Sequence, residues 1–145
     1  MTVTNLDYLA AKYAQDVIAQ TQGVDKSTVE NAITKVLGVL QEQGVYACFV
    51  FALSRARSAN NESQSMQAIV SEMAKLLQEL DFAVTYEKDA EATLKQVAEH
   101  ITKDLERLLL AKDVLEQMLI YARYGAKARK DMVQDTPTEN QQQGA

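Results

Sequence analysis

A chain of 145 residues, 47% hydrophobic and 24% charged with a net charge of −5, has the composition of one globular domain. One cysteine excludes an internal disulfide, one histidine and one cysteine exclude a typical zinc site, and no apolar run is long enough to span a membrane. The first residues have neither a basic start nor an apolar stretch, so no signal peptide is expected and a cytoplasmic protein is.

The only proline is Pro137 and there are five glycines, too few turn formers for a sandwich or barrel. An all-α fold is expected, a compact bundle of five to six helices over residues 1–130 with a buried central helix. The charge is uneven. Residues 1–60 carry five basic and five acidic groups, residues 61–100 carry three and eight, and residues 101–145 carry seven of each.

The first predicted helix runs from Leu6 to Gln22, with Leu6, Leu9, Tyr13 and Val17 on one face and Gly23 as its stop. The second opens on Ser27-Thr28-Val29-Glu30, which has the form of a capping box. Val29, Ile33, Val36, Leu37 and Leu40 make its stripe, and Gly44 ends it. Val45 to Leu53 is apolar on every side, as a buried strand or an enclosed central helix would be. With no partner strand in the chain, the helix is favoured. Ser58 to Ser63 is a polar loop. The fourth helix spans Ser63 to Leu80 on Met66, Ile69, Val70, Met73, Leu76 and Leu77. Phe82, Val84 and Tyr86 alternate as in a short strand, but a packed connector is expected over 81–88. A fifth helix starts at Asp89, with a break near Thr102, where threonine can act as a cap. A long last helix runs to about Lys130 and is expected to pack on the third. Residues 131–145 are polar, with no core former after Val133, and are expected to be a disordered tail.

Few residues offer chemistry. His100, with Lys103 three residues on, matches the exposed histidine and lysine of a histidine phosphotransfer domain. There a glycine usually follows the lysine, and here Asp104 does. Glu62, Glu72, Glu79, Glu91, Glu99 and Glu106 are expected on outer faces, and with one histidine no di-iron centre forms from them. Cys48 is expected as inert packing. No catalytic group, metal site or cofactor is expected. Arg55 and Arg57 end the third helix. Arg123, Lys127 and Lys130 share one face of the last, with Tyr121 and Tyr124 close by. Such a strip can track phosphates, although cations also favour helix C-termini through the helix dipole.

The run Leu37-Gly38-Val39-Leu40-Gln41-Glu42-Gln43-Gly44-Val45-Tyr46-Ala47-Cys48-Phe49-Val50-Phe51-Ala52-Leu53-Ser54 resembles a signature of the small subunit of type III-B (Cmr) CRISPR effector complexes. Ala11 to Val17 is similar to that family's opening helix. Leu109 to Ala128 is similar to its closing helix, with Tyr121 where tryptophan is common. The resemblance covers roughly residues 6–130. It implies a non-catalytic subunit of an antiviral ribonucleoprotein, stacked in copies beside the backbone and large subunits and helping hold guide RNA and target RNA. The implied phosphate contacts are Arg55, Arg57, Arg123, Lys127 and Lys130, with Lys12 and Arg129 beside them. Two other readings stand next to it: a phosphotransfer domain using His100, and a helical adaptor with an open apolar groove for a partner helix.

Overall fold

The computed structural model describes residues 5–129, so Lys130 and the tail expected at 131–145 lie outside the described residues. The described residues form six α-helices and no strand: α1 (Leu6–Gln20), α2 (Lys26–Gln43), α3 (Val45–Arg57), α4 (Ser63–Glu79), α5 (Ala90–Val97) and α6 (Leu105–Ala128). A π turn, Ala98–Thr102, extends α5. The all-α bundle is as the sequence predicts.

Several helix ends differ from the expectation. Asp25, not Ser27, caps α2, its carboxylate accepting the Thr28 N–H at 3.3 Å, and Glu30 is thereby free to reach α6. α1 stops at Thr21, whose hydroxyl turns back to the Val17 carbonyl at 2.8 Å, two residues before Gly23. The chain does break after Thr102, but the Thr102 hydroxyl donates backward to the Ala98 carbonyl. Asp104 caps α6 instead. Gly44 serves at once as the C-cap of α2 and the N-cap of α3. Its φ of +99° lies in the region that L-residues avoid, which is why a glycine stands there.

α1 runs along α6 on one side and antiparallel to α4 on the other, since Tyr13 meets Glu79 and Gln20 meets Glu72. α2 packs on α6 and α3, and α3 packs on α4 and α2. The last helix therefore lies mainly against α1 and α2 and only grazes α3, whose inner face α2 and α4 already cover. Phe49, Ile33, Leu40, Met66, Met73, Leu77 and Leu115 are among the fully buried side chains. α3 touches α2, α4, α5 and α6, as a central helix should. Its enclosure is incomplete: Cys48, Phe49 and Leu53 face inward, whereas Tyr46 and Val50 reach the surface. The connector 81–89 is coil rather than strand, with Phe82 and Val84 buried and the Val84 carbonyl held by the Gln78 amide at 2.7 Å. Arg107 fastens it to the bundle. Its guanidinium lies 4.4 Å over the Phe82 ring and donates to the Asp81 and His100 carbonyls.

Candidate nucleic-acid interface

Six of the seven predicted basic residues lie among the described residues. They fall into five settings, and each is decided by what the side chain touches.

Arg55 lies over the Phe51 ring at 5.3 Å and 4.0 Å from the Glu62 carboxylate. The same carboxylate binds Lys35 of α2, a residue that the sequence reading passed over. Two cations share one anion, leaving an excess of positive charge beside α2. Arg57, two residues on, projects from another side of α3, because two residues turn a helix through about 200°. It lines a polar cleft with Tyr86 and Lys88.

Arg123 and Lys127 stand one turn apart on α6 and face the opposite flank of α2. Lys127 lies 3.8 Å from Glu30, and Arg123 has no ion-pair partner among the described residues. The Arg123 Nε is buried and makes no hydrogen bond, so its stem is packed down against the bundle.

Arg129 has a different task. Its two terminal nitrogens donate to the Thr21 carbonyl at 2.9 Å and the Val24 carbonyl at 2.7 Å, closing the α1–α2 turn onto the end of α6. Lys12 pairs with Glu79 at 3.2 Å, at the α1–α4 contact.

Between the two cation groups lies the outer face of α2. Ser27, Asn31, Thr34 and Gly38 recur at spacings of four, three and four, which places them on one side of the helix. The first three are exposed, none is charged, and nothing stands within 4 Å of where a Cβ on Gly38 would be. Lys35 and Arg55 bound this face on one side, Arg123 and Lys127 on the other. The missing signal for Lys35 was legible: it is the only basic residue of α2 beyond its first position.

The remaining polar groups read as structure. Glu72 was expected outside and is fully buried on α4. One of its oxygens accepts from Gln20 and from Lys75 at 3.0 Å, and the other has no partner. Burial pushes the Cys48 thiol up to about 12, as inert packing requires. His100 is exposed in the π turn, Lys103 pairs with Glu99 at 3.0 Å, and Asp104 spends its carboxylate on the α6 cap. No group of three or more potential metal ligands occurs among the described residues, and no described helix is long and apolar enough to cross a membrane.

The Tyr13 hydroxyl, and then the Lys12 ammonium, hold the Glu79 carboxyl below the ordinary carboxylate range. A carboxylate with a lowered folded pKa stabilises the fold at neutral pH, and this is lost as pH falls through that lowered value. Tyr13→Phe is therefore expected to make the urea midpoint fall less steeply between about pH 5 and pH 3. An unchanged slope would leave the Tyr13–Glu79 bond without thermodynamic weight.

No protein-family model matches this chain, and no curated protein or solved structure matches it either.

Proposed function

We propose that the protein is a non-catalytic small subunit of a type III-B CRISPR effector complex, acting in antiviral defence. It sits beside the backbone and large subunits, with further copies of itself, and steadies the guide–target RNA duplex through phosphates. The observation that carries this reading is the row of uncharged residues Ser27, Asn31, Thr34 and Gly38 on the outer side of α2, between Lys35–Arg55 and Arg123–Lys127. A helix with its side chains is about 10 Å wide, so the two cation groups flank a surface on which a nucleic-acid backbone can lie. Ser27, Asn31 and Thr34 offer hydrogen bonds there without charge, and Gly38 leaves room for close approach. Base pairing supplies specificity in a guided complex, so the subunit needs phosphate contacts and no base readout. The resemblance of residues 37–54 to the small-subunit signature adds the assembly context. A net charge of −5 makes the free protein a weak RNA binder, and affinity arises when neighbouring subunits hold the duplex close.

The test is a tagged pull-down from the native cell, with sequencing of bound RNA and mass spectrometry of bound proteins. Guide RNAs of uniform length with large and repeated subunits are expected. The Lys35→Gln, Arg123→Gln, Lys127→Gln variant should still assemble. Its duplex affinity should depend less on salt, the slope of log K against log salt falling by about one per cation removed. Recovery without RNA, or with two-component kinases in a manner abolished by His100→Gln, would overturn the reading.

A further inference from the structure

The connector 81–89 runs antiparallel along α4, with Val84 near Gln78 and Tyr86 near the first turns of the helix. Tyr86 is about one-third exposed and stands between two adjoining clefts, both of which Gln67 also lines. One, of about 720 Å³, is lined by Arg57, Ser58, Ser63, Glu87 and Lys88. The other, of about 390 Å³, is lined by Gln20, Gln64 and Ser71. Both volumes fall within the roughly 300–1,000 Å³ typical of small-ligand clefts.

The two ends differ in chemistry. At the first, Arg57 and Lys88 have no ion-pair partner among the described residues. The one carboxylate there, Glu87, accepts a hydrogen bond from the Thr85 hydroxyl, and the cleft keeps a net positive charge. Ser58 and Ser63 donate to the Ser54 and Ala56 carbonyls at 2.9 and 2.7 Å, so their oxygens remain as acceptors. At the second end, the Gln67 amide nitrogen donates to the Ala56 carbonyl and the Ser63 hydroxyl, and that of Gln20 donates to Glu72. Each of these amides keeps its oxygen as an acceptor.

A nucleotide has the same order of parts: an anion, a sugar with hydroxyls, and a flat base with a polar edge. We propose that the paired clefts around Tyr86 bind a nucleoside phosphate. Arg57 and Lys88 take the phosphate and the serine oxygens the ribose hydroxyls. Tyr86 stacks on the base, and the Gln20 and Gln67 oxygens accept from an amino group on the base edge, as adenine presents. The proposal is independent of the duplex-holding reading, because a base stacked and paired within a duplex has neither a free face for Tyr86 nor a free edge for the glutamines.

The test titrates the full chain with adenosine monophosphate, adenosine and inorganic phosphate, followed by amide NMR. The monophosphate should move the amides of Arg57, Ser63, Gln67, Tyr86 and Lys88 and bind at least about tenfold tighter than either part alone. Arg57→Gln should weaken the monophosphate by about tenfold and leave adenosine unchanged. Tyr86→Leu should weaken the monophosphate and adenosine by about tenfold and leave inorganic phosphate unchanged. Both side chains lie at the surface, and thermal melts are the check that the variants fold. A short oligoadenylate separates the sources: tighter binding than the monophosphate identifies an unpaired nucleotide of a strand, and no gain identifies a free nucleotide. The proposal is overturned if none of the probes moves these amides, or if the shifts survive both substitutions. That failure would leave the Lys35, Arg123 and Lys127 test untouched.

Discussion

Phe49→Ala is expected to lower the unfolding free energy by about 3–5 kcal/mol, a large part of what a domain of this size possesses. Phe49 lies on the inner side of α3 with no surface exposed, among the helices that α3 touches. Removing the ring loses its transfer energy and leaves a void that the surrounding helices, tied at Gly44 and at Arg107, fill only in part. Val50, the next residue, is 40% exposed, so Val50→Ala should change stability by no more than about 0.5–1 kcal/mol. Urea unfolding of the two variants measures the contrast directly. Equal losses would mean that the inner and outer sides of α3 are not distinguished as described.

Arg129→Ala is expected to cost about 2 kcal/mol. A hydrogen bond from a charged donor contributes about 1.5–3 kcal/mol when dry, and two such bonds run here to the Thr21 and Val24 carbonyls. The residue is half-buried, and solvent screening brings the sum down. Arg129→Lys should recover less than half of the loss, because an ammonium is a single point donor and the guanidinium is a planar fork. The salt dependence of RNA binding should not change in either variant. A change there by about one unit in slope would move Arg129 from the frame of the bundle to its RNA surface.

The helical content was legible because it rests on periodicity. Met66, Ile69, Val70, Met73 and Leu77 announce α4, and all five are buried in it. The caps were less legible, because Ser27 and Asp25 are both good N-caps, and Asp25 is the one used. The basic site was the least legible. Spacing of four brought Arg123 and Lys127 together, but it said nothing of Glu30 on α2 or of the carbonyls awaiting Arg129. Arg55 and Arg57 both end α3, but two residues turn a helix through about 200°, which parts them. Lys35 meets Arg55 only through Glu62, a contact 27 residues away in the chain. Glu72 is buried with one oxygen satisfied, by Lys75 on the next turn of α4 and by Gln20, and no local pattern encodes the Gln20 contact, 52 residues away in the chain.

The joint at Gly44 has a consequence for how a chain like this can change over generations. α2 and α3 meet at one residue, so a residue added or deleted in the first turn of α3 turns the rest of that helix by about 100° relative to α2. In one of its two senses, such a turn would bring Tyr46 and Val50 to the inner side of α3, where Phe49 now lies. Variation in length is thus closed to descent at this joint. It stays open at Ser58–Asn61, where four exposed residues carry the chain from one helix toward the next.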